Sequence, residues 1–332
     1  QHNINKSINQ VQAVEMLAQH LITQPVFEAL FSGNDFVNDN PVSKAMNDVV
    51  RTFKSFGFDK EQKPLQGFYD SVKKRVSGID NAAAKQQTIV TLYEKFFSKG
   101  FPRTTQKLGI VFTPVEVVDF IIHSVDDALR KYLNVSLDSQ NVHILDPFVG
   151  TGTFITRTLA YLKQELDEGQ ITYTDIVRKY TQELHCNEIV LLSYYIAAVN
   201  IENAFSEIGT NVQGYNYKYL PFDGIVLTDT FESAEKPDLC NDDLFGENDE
   251  RLREQQKEPI TVIISNPPYS VGQKNQNDNN QNVHYPNLEH EIANTYVKNS
   301  NAGFSKGAYD SYIKAFRWAS NRLSGKGVIG FV

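Results

Sequence analysis

Apolar residues recur at helical spacing along the first third of the chain. Val11, Val14, Leu17, Leu21 and Ile22 follow a 3.6-residue period. A second stripe runs through Ala45, Met46, Val49, Val50 and Phe53. Asn40 precedes it as a favourable cap, with Pro41 at the first helical position. Leu65, Phe68, Tyr69, Val72 and Val76 mark a third face, and Ile89, Leu92, Tyr93, Phe96 and Phe97 a fourth, which Asp80 could cap. Strand-like alternation is missing here, and Gly100-Phe101-Pro102 ends the block. The expectation for residues 1–105 is an all-α helical domain.

From residue 106 the texture changes. Short apolar runs at 142–145, 225–227, 260–264 and 328–332, with a weaker one at 183–186, alternate with helical patterns. A helix pair over 155–166 and 173–180 fills the gap between the first run and the weak one. Strands alternating with helices predict an α/β domain over 106–332, a parallel sheet with helices on both faces. Two stretches interrupt the pattern. Residues 232–258 are acidic and loop-like before they become a charged helix. Residues 275–282 are Asn, Gln and Asp only, too polar to bury, and are expected to form a mobile loop.

Composition narrows the class. A chain of 332 residues suggests roughly two domains. Its 41% apolar and 22% charged residues are ordinary for a soluble globular protein. The longest apolar helical stretch, around 189–199, is broken by Asn200 and Glu202, so no membrane span is expected. The chain opens with no signal-peptide pattern. Cys186 and Cys240 cannot form a disulfide framework and fit a reducing compartment, here the cytoplasm. Histidine and cysteine spacings give no zinc site, and no metal is expected. The net charge of −8 is unlike that of a stand-alone nucleic-acid binder, unless basic surface is local or lies elsewhere. The chain starts without Met and stops in an apolar run, which suggests a piece of something longer.

Ligands of an open α/β sheet bind beyond the carboxyl ends of its strands. After 142–145 comes Asp146-Pro147-Phe148-Val149-Gly150-Thr151-Gly152 and then a helix. Gly150 and Gly152 permit a tight turn and close approach to a ligand. A dinucleotide fingerprint would place a third glycine where Ile155 stands. Asp146 would also repel a phosphate at that helix start. It suits a cationic ligand without phosphate, and S-adenosylmethionine fits. After 183–186 comes Asn187-Glu188; the Glu188 carboxylate could accept both ribose hydroxyls, or simply favour a helix start. After 225–227, Asp229 could accept from an adenine amine, with Phe231 alongside, although strand-end aspartates are common.

The most informative run is Ser265-Asn266-Pro267-Pro268-Tyr269, after 260–264. Two prolines fix φ and remove two donors, which holds the Pro267 carbonyl outward as an acceptor. The Asn266 side-chain oxygen is a second acceptor beside it. Together they match the two hydrogens of a planar NH2 group and favour a pyramidal nitrogen whose lone pair can attack. Tyr269 offers a flat face for the ring that carries the amine. The plainer alternative is a Pro-Pro turn with an aromatic neighbour. Upstream, Phe112-Thr113-Pro114 leads into a helix for which Thr113 and Glu116 predict a capping box with Pro114 at its first position. That helix start could receive a carboxylate.

Phe112–Pro114, Asp146-Pro147-x-x-Gly150-x-Gly152 and Asn266-Pro267-Pro268-Tyr269, in that order, resemble the γ-class N6-adenine DNA methyltransferases. The resemblance implies a Rossmann-like S-adenosylmethionine-dependent methyltransferase sheet over 106–332. Phe112, Thr113, Pro114, Asp146, Phe148, Gly150, Gly152, Glu188, Asp229 and Phe231 would then bind cofactor. Within that set, Asp146 and Gly150 would line the methionine end, Glu188 the ribose and Asp229 the adenine. Asn266, Pro267, Pro268 and Tyr269 would be catalytic, holding a flipped adenine of double-stranded DNA. With the helical block ahead of it, the chain looks like the coupler and methyltransferase of a Type ISP restriction-modification enzyme. That family carries nuclease and helicase-like ATPase parts upstream and a target-recognition domain downstream. This segment lacks the phosphate-binding Gly-x-x-x-x-Gly-Lys-Ser/Thr loop of an ATPase. Methylation of another planar amine, a glutamine amide or a guanine, stays open at this point. So does a non-catalytic coupling module, and residues 1–105 alone carry no catalytic constellation. A dinucleotide oxidoreductase is disfavoured by Asp146 and the missing glycine.

Overall fold

The computed structural model describes residues 14, 16–21, 39–55, 67, 70, 71, 74, 113–212, 217–235, 245–269, 284–301, 306–323 and 325–332. Phe112, the helix expected around 89–97, Cys240 and the polar run 275–282 lie outside the described residues, as does most of the helix expected over 65–76.

Of the helical stripes ahead of the sheet, residues 16–21 are helical, and helix α1 spans Pro41–Ser55. Asn40 caps α1 as its sequence predicts: its Oδ1 accepts from the backbone N–H groups of Val42 and Ser43. Val42, Ala45, Met46 and Val50 are buried. Polar groups tie this region to the sheet domain. Asn40 Nδ2 donates to the Tyr194 hydroxyl at 3.0 Å. His20 Nδ1 lies 3.0 Å from the Tyr195 hydroxyl, and its Nε2 lies 3.0 Å from Asn47 Oδ1.

Every apolar run read as a strand is one. Helix α2 (Val115–Ala128) leads to β1 (His143–Asp146), then α3 (Thr153–Asp167) and α4 (Tyr173–Arg178) to β2 (Leu184–Glu188). Helix α5 (Leu191–Asn211) leads to β3 (Ile225–Leu227), and α6 (Thr230–Glu235) with α7 (Gly246–Lys257) to β4 (Ile260–Ser265). Helices α8 (Pro286–Ile292) and α9 (Ser311–Arg322) precede β5 (Val328–Phe331). The sheet is parallel throughout, in the order β3-β2-β1-β4-β5. β2 starts and ends later than its sequence pattern suggests. Asn187 and Glu188 are its last two residues, held by pairing with Val226 and Leu227 of β3.

One core gathers α2, α3 and α5 against Ile144, Cys186, Val262 and Ile264. The other packs Phe231, Tyr285, Leu288, Ala315 and Trp318 over Leu145, Ile260 and Ile263. Burial on both faces explains why β1, β3 and β4 read as apolar runs. Among the described residues no helix is long and apolar enough to cross a membrane. The two polar residues that interrupt α5 bond inside the fold. Asn200 Nδ2 donates to the Thr151 carbonyl, and Glu202 accepts from the Tyr219 hydroxyl and the Phe222 N–H.

The turn from β1 into α3 is built on two glycines with different roles. Gly150 has φ +55° and open space where a Cβ would stand. Gly152 has φ +88°, and a Cβ there would lie 3.2 Å from the Ala197 carbonyl oxygen and 3.3 Å from Ile201 Cγ1. It lets α5 press against the turn. Gly152→Ala therefore combines a left-handed backbone with a crowded contact. It is expected to cost about 2–4 kcal/mol in a denaturant unfolding titration.

Candidate active site

The chain runs outward from β1 through β2 to β3, then returns to lay β4 on the other side of β1. This reversal opens a crevice between the carboxyl ends of β1 and β4, the place where such sheets bind ligands. Asp146 is the last residue of β1, and Ser265 the last of β4.

Asp146 is buried at 1% exposure. Its Oδ1 accepts from the Ser265 hydroxyl at 2.6 Å and the Phe148 N–H at 3.1 Å. Its Oδ2 is buried with no hydrogen-bond partner. Burial pushes the Asp146 carboxyl up to about 7, against the pull of those two donors. Two further buried oxygens near the glycine turn also lack partners: Oδ1 of Asn187 and Oδ1 of Asn200. An uncompensated buried acceptor costs about 1–3 kcal/mol, so a cluster of them at a strand-end crevice points to a ligand rich in donors.

Glu188 sits beside this cluster but is already engaged. Its Oε2 accepts from the Gly150 N–H at 2.9 Å, and its Oε1 from the N–H groups of Ile189 and Val190. The carboxylate thus clamps the glycine turn to the start of α5. Burial raises its pKa to about 7, and Asp146 adds to the rise. Each carboxylate oxygen keeps acceptor capacity beyond one bond, so Oε2 can still take a hydroxyl.

Asp229 follows β3, buried, just ahead of α6. Its Oδ1 accepts from the Phe231 and Glu232 N–H groups, and its Oδ2 from the Tyr285 hydroxyl at 2.9 Å. Burial raises its pKa. The Phe231 ring lies 5.4 Å from Phe148 and 5.2 Å from Tyr285, centroid to centroid. Phe148, Phe231 and Tyr285 therefore form an aromatic wall beside a carboxylate.

Asn266 comes directly after Ser265. Its Nδ2 donates to Thr113 Oγ1 at 2.9 Å, and its Oδ1 accepts from the Tyr269 hydroxyl at 2.7 Å. This pair of bonds fixes which way the amide faces. Pro267 is buried, Pro268 half-buried and Tyr269 exposed. Thr113 corrects the expected capping box. Helix α2 begins at Val115, so Pro114 is its cap rather than its first residue, with no side-chain cap bond. The Pro114 carbonyl takes the first helical bonds, from Val117 and Val118. The Thr113 hydroxyl is committed to Asn266 instead.

The structure thus brings Thr113, Pro114, Asp146, Phe148, Gly150, Gly152, Glu188, Asp229, Phe231 and Asn266–Tyr269 to one edge of the sheet. Sequence reasoning passed over Ser265, Asn187, Asn200 and Tyr285 as site residues. Ser265 had a signal, since it stands between the strand and Asn266. Tyr285 had none. No group of three or more His, Cys, Asp or Glu residues among those described could hold a metal.

The sequence pattern of the N-6 DNA methylase family matches residues 84–305, and that of the Type ISP restriction-modification enzyme coupler domain matches residues 1–84. Three solved structures are similar in fold and sequence. One is a nuclease-deletion mutant of the Type ISP restriction-modification enzyme LlaGI in complex with a DNA substrate mimic. It has a TM-score of 0.92 and 60% identity, with 100% of this chain and 26% of that chain covered. The ATP-dependent Type ISP enzyme LlaBIII bound to DNA has a TM-score of 0.92 and 58% identity, with 100% and 22% covered. The DrdV–DNA complex has a TM-score of 0.86 and 33% identity, with 99% and 31% covered. The chain spans about a quarter of the length of these relatives. No curated protein matches it. On the breadth of the methylase match and the strand-end site that the fold assembles, the chain belongs to the N-6 DNA methylase family.

Proposed function

We propose that this chain transfers a methyl group from S-adenosylmethionine to the N6 amine of an adenine flipped out of double-stranded DNA. It would do so as the modification part of a restriction-modification enzyme with nuclease, helicase-like ATPase and target-recognition parts in the same polypeptide, acting in the cytoplasm. Residues 1–105 would serve as the coupler and 106–332 as the catalytic domain.

One observation carries the reading. The Ser265 hydroxyl ties the buried, half-partnered Asp146 to the strand end from which Asn266 projects. A carboxylate fit for a cationic ligand and an amide fit for an amine are therefore neighbours. The crevice suits S-adenosylmethionine in three respects. Asp146 Oδ2 and the Asn187 and Asn200 oxygens are acceptors in search of donors. Gly150 leaves open space over the turn. Phe148, Phe231 and Tyr285 offer a wall for an adenine ring, with Asp229 to meet its amine. When bound, the cofactor would supply an electrophilic methyl group on a sulfonium sulfur that departs as a neutral thioether, the methylated amine releasing one proton to solvent.

The chain's own part is positioning. Asn266 Oδ1 would accept a hydrogen of the target amine, and its Thr113 bond keeps that oxygen turned to the site. The Pro267 carbonyl would accept the other. Tyr269 would stack on the base at about 1–3 kcal/mol, offsetting part of the few kcal/mol spent on unstacking it. Because the leaving group is a neutral thioether, alignment and fixed dipoles would carry most of the rate.

The test has two arms. Calorimetric titration should give micromolar binding of S-adenosylmethionine and no heat with NAD. The full-length enzyme should pass tritiated methyl to unmethylated DNA, with N6-methyladenine in the digest. Label found in protein or in guanine, with DNA adenine unmodified, would overturn the acceptor. NAD binding would overturn the cofactor.

A further inference from the structure

The base-stacking tyrosine does not stand alone. Tyr269 stacks on Tyr312 with ring centroids 5.5 Å apart and planes at 19°. Tyr312 lies in the first turn of α9, and its backbone N–H is held by the Asp310 side chain at 2.9 Å. The Tyr312 ring meets the Phe316 ring edge-on at 5.1 Å and 71°, and Phe316 meets Phe331 of β5 at 5.1 Å and 73°. Four aromatic rings thus run in series from the sheet to the mouth of the site. At the outer end the Tyr269 hydroxyl donates to Asn266 Oδ1 and lies 3.2 Å from the Val332 carbonyl oxygen.

We infer that Tyr312 is a positioning residue for methyl transfer. Its ring backs Tyr269 and sets the plane in which the flipped base stacks. An exposed tyrosine at the end of a strand-end loop has χ1 and χ2 to lose, and its ring must settle in one plane before a base can use it. The Asn266 bond fixes only the tip of the ring and leaves rotation about the axis through the hydroxyl. The near-parallel contact with Tyr312 removes that rotation, and the edge-on contacts to Phe316 and Phe331 anchor Tyr312 to β5. The base would lie on the Tyr269 face turned away from Tyr312, its amine toward Asn266. Aromatic pairs of this kind account for up to about tenfold in an equilibrium beyond buried area.

This inference rests on the role proposed for Tyr269, and the experiment separates the two. In the full-length enzyme, Tyr312→Leu and Tyr312→Met keep bulk but lose the flat ring, whereas Tyr312→Phe keeps it. Steady-state methylation of unmethylated DNA should show kcat about 3- to 10-fold lower for the Leu and Met variants. The Phe variant should stay within about twofold of the parent, and S-adenosylmethionine Kd should hold in all three. Unchanged kcat in Tyr312→Leu or Tyr312→Met would overturn the inference. So would a fall that Tyr312→Phe shares, which marks a role of the hydroxyl, or one accompanied by weaker cofactor binding, which marks general packing. Tyr269→Ala is the control. Full activity there would refute the base site itself, not the ring behind it.

Discussion

Asn266→Ala is expected to lower kcat for DNA methylation at least about 100-fold while leaving S-adenosylmethionine affinity within about twofold. The reasoning starts from its bonds. Asn266 uses its amide nitrogen on Thr113 and its oxygen on the Tyr269 hydroxyl, and it makes no bond to Asp146, Glu188 or Asp229. Truncation therefore removes an acceptor for the amine and frees the Tyr269 tip, yet leaves the cofactor side untouched. Misplacing the attacking nitrogen by a fraction of an ångström forfeits alignment, which is where this type of reaction gets most of its rate. Asn266→Asp should also fail. A carboxylate has no hydrogen to give the Thr113 hydroxyl, and the bond between the two side chains would have to invert. Isothermal titration and single-turnover methylation on the same preparations separate binding from chemistry. Activity near that of the parent would remove Asn266 from the mechanism.

The second large effect belongs to Asp146 and has opposite signs for binding and for stability. Asp146→Asn removes the charge that suits a cationic ligand and should weaken S-adenosylmethionine binding by at least about tenfold. The same change should raise the stability of the ligand-free protein at pH 8. The Asp146 carboxyl has a folded-state pKa of about 7 against an ordinary value of 3.8. The folded chain therefore keeps a proton that the unfolded chain gives up between those two values. The stabilisation is full below the ordinary value and is lost as pH rises through about 7. Above that, the fold carries a buried charge with one oxygen unpartnered. An asparagine keeps the Oδ1 bonds from Ser265 and Phe148 without the charge, for a gain of about 1–2 kcal/mol at pH 8 and little at pH 4. Thermal melts of both proteins at the two pH values check the sign. A variant less stable at pH 8 would mean that the carboxylate is satisfied in the free protein.

Both residues were visible in the sequence, but their partners were not. The strands β1, β3 and β4 were legible because parallel strands buried on both faces are written as plain apolar runs, and β5 shows the same run although it is only half-buried at the sheet edge. β2 was faint because His185, Asn187 and Glu188 interrupt it, and its right boundary depended on pairing with β3. The acids at the strand ends could be found by looking just past each apolar run. The groups that each acid bonds could not. The link between Ser265 and Asp146 joins residues 119 positions apart. The Thr113 hydroxyl looked like a helix cap because local spacing fits that role, and only the fold brings Asn266 to it. Tyr285 and Tyr312 left no mark at all. Each is one tyrosine near a helix start, and its value comes from the ring it faces across the sheet edge.

Asn40 and His20 reach from the first helices to the hydroxyls of Tyr194 and Tyr195 near the start of α5. Both tyrosines are almost wholly buried. The two family matches meet at residue 84, which invites the view that the parts on either side are interchangeable cassettes. The buried phenols argue otherwise. A chimaera that takes its leading helices from another enzyme loses the Asn40 partner of the Tyr194 hydroxyl and the His20 contact of Tyr195, and a buried hydroxyl deprived of its partner costs about 1–3 kcal/mol. The unit that can be exchanged is therefore larger than either match: the leading helices travel with the α5 residues they grip.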